Sequence, residues 1–301
     1  DLFVLYCLAM FLLGAPQAFV QQFRFAAAEN ATAERVGRAV ALILFAGIGS
    51  ALLGPRLGAW AAEWVPGVPY GGSYWMLANL ALVAGLGLLL FRDPAPVAAA
   101  SQQTVAPQGS LWNRQFSFGV LCGAVAYAVM SLVMTATPIS MHHHNGLSLE
   151  DTSTVIQAHI AAMFIPSLFS GWLIGRFGPY RMAFAGLVLN AACILLALSG
   201  VAFQHYLIAL ILLGLGWNLL FISGTQLVAT AWSGPERFRA QALNDFTVFG
   251  VQGVATLGAG VVLSWIGWVG VNWVGAALLS VCFVVWLHLV LVKPTDLADQ
   301  R

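Results

Sequence analysis

Residues 206–232 read YLIALILLGLGWNLLFISGTQLVATAW and contain no charged side chain. A helix needs about 20 mostly apolar residues to cross a hydrocarbon core about 30 Å thick, so this run is long enough. Inside lipid every backbone N–H and C=O must be hydrogen-bonded within the protein, and an α-helix does this within one segment. The stretch therefore predicts a membrane-spanning helix.

Eight further runs of this kind are spread along the 301-residue chain. Hydrophobic residues make up 60% of it and charged residues 8%, whereas a soluble domain carries about 25% charged residues. The runs lack the two-residue alternation of a membrane β-barrel. We therefore predict an all-α, polytopic transmembrane helix bundle, with spans at Leu2–Phe23, Ala39–Ala62, Ser73–Phe91, Gln115–Met141, Thr152–Gly175, Met182–Phe203, Tyr206–Trp232, Leu243–Trp265 and Trp273–Val292.

Basic residues collect on alternate connecting segments, and one set of segments carries every Lys and Arg except Arg56. Because Lys and Arg concentrate in cytoplasmic loops, we predict a cytoplasmic C-terminus; we expect the membrane to be a plasma membrane, of the bacterial inner-membrane type. The net charge of +1, without a concentrated basic face, argues against nucleic-acid binding. Tryptophans lie near the ends of runs, as in an interfacial aromatic belt, at Trp60, Trp64, Trp75, Trp265, Trp268 and Trp273.

The longest connecting segment divides the chain unevenly, with three runs before it and six after it. Residues 94–110 within this segment, PAPVAAASQQTVAPQGS, have the composition of a flexible linker. We predict a partial N-terminal half at 1–91, a cytoplasmic linker at 92–114, a six-span C-terminal half at 115–292 and a cytoplasmic tail at 293–301.

A short repeat indicates that the two halves are related. ERVGRA at 34–39 precedes the second run, and ERFRA at 236–240 precedes the eighth, 202 residues further along. Many transporters are built from repeated halves. If the first half also has six spans, the chain begins at the fourth span of twelve, and we expect three spans to precede it.

Two motifs on this framework resemble those of the major facilitator superfamily. GWLIGRFGPYR at 171–181 is similar to the family's cytoplasmic gating motif, although Gly175 replaces an acid and Pro179 a basic residue. The positions that match are Gly171, Arg176, Gly178 and Arg181. GPRLGA at 54–59 resembles the Gly-Pro motif of the family's fifth helix, at Gly54, Pro55 and Gly58. The resemblance implies a two-half, twelve-span fold and a monomeric secondary transporter.

Three further stretches are similar to a bacterial branch of this family that includes riboflavin permeases. They are VIQAHIAAMFIPSLFSGWLIGRFG at 155–178, GWNLLFISGTQLV at 216–228 and ERFRAQALNDF at 236–246. This similarity implies a small-molecule substrate of the riboflavin type.

Two titratable side chains within the runs are candidates for proton coupling, because ionisable groups in lipid are costly and often functional. His159 changes charge near neutral pH, although a neutral His bonded to a backbone carbonyl is the structural alternative. Asp245 starts the eighth run. We favour a structural role for Asp245 over proton coupling, as a carboxylate at a helix N-terminus that, as the family resemblance implies, pairs with an arginine of a cytoplasmic loop in the inner gate.

Other polar or amphipathic residues within the runs are candidates for the substrate path. They can bind a substrate's polar groups or stack on its ring, and they can equally make hydrogen bonds between helices. The candidates are Tyr127, Gln157, Asn190, Trp217, Asn218 and Gln226. Small-residue spacings predict close helix packing at Gly214/Asn218 and at Gly250/Val254/Gly258.

The motifs for other chemistry are missing. No glycine-rich stretch is followed by Lys-Ser/Thr, so we expect no nucleotide site. Side chains of the adjacent His142, His143 and His144 point in different directions, and we expect no metal and no cofactor. We predict a secondary active transporter, not an enzyme, that moves a small organic solute through the lipid bilayer by alternating access with proton coupling. The alternatives are an intramembrane hydrolase or acyltransferase using His159, and a non-transporting scaffold of the same fold.

Overall fold

The computed structural model describes residues 2–29, 36–68, 70–90, 111–234 and 236–291. These residues form helices and short connections, without a strand, and the predicted all-α fold is confirmed. The helices are α1 (Leu2–Glu29), α2 (Val36–Ala61), α3 (Gly71–Leu88), α4 (Arg114–Pro138), α5 (Leu149–Phe164), α6 (Ser167–Phe177), α7 (Pro179–Ser199), α8 (Phe203–Ala231) and α9 (Glu236–Leu291).

The chain forms two compact units, Asp1–Gln108 and Gly109–Arg301. In the first unit α2 packs against both α1 and α3. The hydroxyl of Ser73 on α3 donates to the carbonyl of Gly58 on α2 at 2.7 Å. Parts of the sequence predictions lie outside the described residues, namely most of the linker at 92–110, the tail at 293–301 and the start of the first repeat at 34–35.

Helix α8 is the central element of the second unit, where it packs against α4, α5 and α7, and α4 also packs against α9. An uncharged helix can be buried on several sides at once, and small residues let neighbouring backbones approach it. The buried core accordingly runs along α8 and α4 and includes Val129, Leu213 and Leu220.

Each predicted run overlaps a helix, and the fifth run differs in shape from the prediction. The fifth run is broken into α5 and α6, whose axes differ by 42° around Pro166. The eighth and ninth runs lie in the two arms of α9, which are helices that meet at a kink with the non-helical residue Gly267. Among the described residues, five helices are long and apolar enough to span a membrane, and the bent pair α5–α6 makes six.

Candidate functional site

Five aromatic rings from four helices meet around the middle of α8. Trp217 and Phe221, one turn apart on α8, are stacked with ring centroids 5.0 Å apart. The Tyr127 ring of α4 meets both of these rings and Phe249 of α9 at 5.1–5.3 Å in edge-to-face geometry. Phe164 of α5 lies 6.1 Å from Trp217. We call these five residues the aromatic cluster.

The aromatic cluster contains a hydrogen-bond donor without a partner among the described residues. Trp217 is only 2% exposed, and its indole Nε1 makes no hydrogen bond to any residue that the structure describes. An indole N–H is a donor only, and it normally finds a partner when buried. Phe164 and Phe249 are partly exposed, so the cluster reaches the surface of the unit. This arrangement can stack a planar ring and donate to an acceptor on it.

Asn218, the next residue on α8, is bonded to the broken span. Its Nδ2 donates to the carbonyl of Met163 and to the hydroxyl of Ser167, both at 2.7 Å. Its Oδ1 lies 2.7 Å from the hydroxyl of Ser170, which also lies 2.8 Å from the carbonyl of Pro166. Asn218 therefore makes interhelical hydrogen bonds, which the sequence analysis gave as the alternative to a place on the substrate path.

His159 is fully buried on α5. Its Nδ1 lies 2.8 Å from the carbonyl oxygen of Leu210 on α8, and because a carbonyl only accepts, Nδ1 carries the hydrogen. The other ring nitrogen, Nε2, is buried and has no hydrogen-bond partner within the described ranges. The Leu210 carbonyl occupies the position that a carboxylate takes in a hydrolytic triad, so this geometry does not favour an enzyme at His159.

Asp245 is buried, and its Oδ1 accepts a 2.9 Å hydrogen bond from the Nδ2 of Asn244. The sequence placed Asp245 at a helix start, and this is wrong because α9 begins at Glu236. The field of a helix N-terminus falls off within the first turn, so it does not stabilise Asp245. Glu236 occupies the first turn instead and pairs with Arg239 at 3.1 Å.

The remaining candidates for the substrate path are not members of the aromatic cluster. The buried Asn190 on α7 donates to the carbonyl of Gly186 in its own helix at 2.9 Å. Gln157 is exposed on α5 and donates to Ser153 at 3.3 Å. Gln226 is partly buried on α8. Within the part of the chain that the structure describes, no three His, Cys, Asp or Glu side chains are grouped to hold a metal ion.

The residues of the gating motif lie along α6, in the α6–α7 turn and at the start of α7, at Gly171, Arg176, Gly178 and Arg181. The turn depends on Gly178, whose φ of 80° and ψ of 157° are open essentially to glycine. The Arg176 guanidinium lies 5.6 Å from the ring of Trp172 and 5.7 Å from that of Phe177. Arg176 and Arg181 are exposed, so the turn presents two cations to its surroundings.

The Gly-Pro motif lies within α2 of the first unit. Methyl groups added at Gly54 or Gly58 would meet no atom of the described residues within 4 Å. The side chain of Pro55 lies outside the described set. Among the described side chains, only that of Ser73 makes a hydrogen bond to this motif, at the Gly58 carbonyl.

Sequence reasoning missed most of the partners in this site. Phe221 stands four residues after Trp217, which places both on one face of a helix, and this spacing would have indicated the stacked pair. Ser167 and Ser170 likewise share a face directly after Pro166. Nothing in the sequence indicates that Phe164 or Phe249 joins the cluster, because they come from other helices.

Known proteins resemble this chain over most of its length. A family model described as the Major Facilitator Superfamily matches residues 119–301. The riboflavin transporter RfnT of Brucella anthropi is 38% identical over 274 residues, covering 90% of this chain and 69% of that protein. The uncharacterised transporter YddS of Bacillus subtilis, of the same superfamily type, is 31% identical, covering 92% and 68%.

The fold also resembles a solved structure, that of a bacterial homologue of the iron transporter ferroportin in an outward-facing state. The TM-score is 0.58 at 14% sequence identity, covering 87% of this chain and 66% of that one. At this identity the likeness concerns the fold alone. The chain spans about two thirds of the length of each of these proteins.

Proposed function

The chain belongs to the major facilitator superfamily, and we propose that it is a secondary active transporter that moves a small organic solute by alternating access. The chain is an integral membrane protein, and its relatives are named transporters. The proposal places it in a plasma membrane as a monomer with a cytoplasmic C-terminus. Nothing described favours the enzymatic alternative.

The proposed substrate is riboflavin or a similar planar heteroaromatic molecule. The observation that carries this proposal is the aromatic cluster, in which Trp217 packs against other rings while its Nε1 has no partner in the described part of the chain. A fused ring system that bears carbonyl oxygens or ring nitrogens offers both a face for stacking and an acceptor for this N–H. The 38% identity to a riboflavin transporter supports the same substrate class.

The test is riboflavin binding and uptake by the purified protein in proteoliposomes. Trp217→Phe keeps an aromatic face and removes the N–H, and losing a hydrogen bond of about 1.5 kcal/mol weakens binding about tenfold. Trp265→Phe is the matched control, because Trp265 is 82% exposed. Equal affinity in Trp217→Phe and wild type would exclude the cluster, and absence of binding to the wild type would exclude riboflavin.

We also propose that transport is coupled to protons, with Nε2 of His159 as the atom that takes up the proton. A charged imidazole is costly in an apolar environment, so His159 would be protonated only in a conformation that hydrates Nε2. In proteoliposomes, a pH gradient should raise uptake in the wild type and leave it unchanged in His159→Asn. His288, which is exposed on α9, supplies the control His288→Asn. A gradient-insensitive wild type would remove the coupling.

The other predicted roles remain parts of this proposal. Asp245 acts near the inner gate, or as a second coupling carboxylate, and Asp245→Asn distinguishes these by whether the gradient dependence is lost. The α6–α7 turn with Arg176 and Arg181 forms the cytoplasmic gate of the second unit. Gln157, Asn190 and Gln226 are secondary candidates for the path, since they are not members of the aromatic cluster.

A further inference from the structure

The span formed by α5 and α6 is interrupted near its middle. Pro166 has no N–H to donate and its ring disfavours a continuous helix, so α5 ends at Phe164 and α6 begins at Ser167. The two arms differ in direction by 42°. The last carbonyls of α5, including that of Met163, have no partner within the helix, and a break of this kind needs hydrogen bonds from outside.

Asn218 of α8 supplies those hydrogen bonds to both sides of the break. Its Nδ2 reaches the Met163 carbonyl on the α5 arm and the Ser167 hydroxyl on the α6 arm, each at 2.7 Å. The Ser170 hydroxyl on the α6 arm lies 2.7 Å from its Oδ1. Asn218 is completely buried. One amide therefore holds the ends of two half-helices in a fixed relation.

The residues next to Asn218 and Met163 belong to the aromatic cluster. Trp217 precedes Asn218 on α8, and Phe164 is the last residue of α5, with the two rings 6.1 Å apart. The far end of the α6 arm is the exposed turn at Arg176 and Gly178. A ligand that displaces Phe164 or Trp217 acts on residues directly next to the clasp, which is formed by Asn218, Met163, Ser167 and Ser170.

We propose that Asn218 is a positioning residue that couples occupancy of the aromatic cluster to the bend between α5 and α6, and through α6 to the α6–α7 turn. The coupling step rests on the proposed function, since it requires a ligand at the cluster. The role of the clasp in fixing the bend does not rest on the proposed function, because it applies to the ligand-free protein as well.

The first experiment measures the bend directly. Spin labels at Leu149→Cys and Phe169→Cys, both exposed and on different arms, lie about 30 Å apart along the helix, within reach of pulsed dipolar spectroscopy. Cys7 is replaced by Ser because the other cysteines are buried. Asn218→Ala should broaden the ligand-free distance distribution. Asn272→Ala is the control, since Asn272 is buried but donates only within its own helix, to Trp268 at 2.9 Å.

The second experiment adds saturating riboflavin. We expect a shift in the wild-type distance that is absent in Asn218→Ala, together with uptake reduced about tenfold. An equal shift in both proteins would overturn the coupling, as would riboflavin binding without any shift in the wild type. If riboflavin does not bind, the proposed substrate fails, and the ligand-free distances alone decide the clasp.

Ser170→Ala tests the clasp if Asn218→Ala does not fold. It removes one contact to Asn218 and leaves both contacts of the Asn218 Nδ2. It should give the same broadening to a smaller extent. Unchanged distances in both variants would overturn the clasp.

Discussion

Helices α8 and α9 are both long, apolar and rich in glycine, yet the glycines of α8 and those of the first arm of α9, before Gly267, have opposite surroundings. A methyl group added at Gly214 of α8 would lie 2.6 Å from the carbonyl oxygen of His159, and one at Gly224 would lie 2.6 Å from that of Gly119. On α9, methyl groups at Gly250 and at three further glycines would meet no described atom within 4 Å, namely at Gly253, Gly258 and Gly260.

The difference shows that small residues at helical spacing in one helix are not sufficient for close helix packing. Glycine permits a close approach, but the neighbouring backbone must be there to make it. The sequence predicted close packing on both helices. The prediction is confirmed at Gly214, where α5 approaches, and it is wrong at Gly250 and Gly258 among the described residues.

The largest expected effect comes from filling a close approach on α8. Gly214→Ala places a methyl group against the backbone oxygen of His159, and neither backbone can move without separating α5 from α8. Overpacking of this kind costs about 3 kcal/mol, the upper end of the usual range. Thermal unfolding of the purified protein in detergent, read as apparent melting temperature, measures the loss.

The matched control on α9 is Gly258→Ala, which adds the same methyl group to open space. Because alanine is the better helix former by about 1 kcal/mol, this variant should melt at or slightly above the wild-type temperature. If both variants melt alike, the close approach of α5 to α8 does not contribute as the structure indicates.

A smaller effect is expected at the glycine that divides α9. Gly267 has a φ of 67° and a ψ of −173°, a region that is essentially restricted to glycine. Gly267→Ala should therefore cost about 2 kcal/mol through backbone strain. Gly253→Ala, in the regular part of the same helix, is the control for the added methyl group. A melting temperature equal to that of Gly253→Ala would mean that the two arms are not joined by this conformation.

The sequence predicts where each helix lies, but it does not predict which helices become neighbours. The positions of the helices are predictable because lipid requires each apolar run to bond its own backbone. The start of α9 was missed, because the helix continues for two turns beyond the apolar run into the charged stretch around Glu236 and Arg239. The partners of Trp217 and Asn218 depend on which helices become neighbours, and no run of sequence states this.

The smallest effect separates two tryptophans of α9 that the sequence assigned alike to an interfacial belt. Trp268 is buried, donates from Nε1 to the carbonyl of Ala197 at 3.0 Å and packs against Tyr206 with ring centroids 5.1 Å apart. Trp265 is 82% exposed. Trp268→Phe should lower stability by about 1 kcal/mol through the lost hydrogen bond.

Trp265→Phe should change stability by less than about 0.5 kcal/mol, as surface substitutions do. Each substitution removes one indole N–H, and the two positions are three residues apart. The difference between the melting temperatures of the two variants therefore isolates the contact to Ala197. A larger loss in Trp265→Phe would show that the exposed tryptophan anchors the protein in the membrane interface. In that case burial within the unit would not be what separates the two tryptophans.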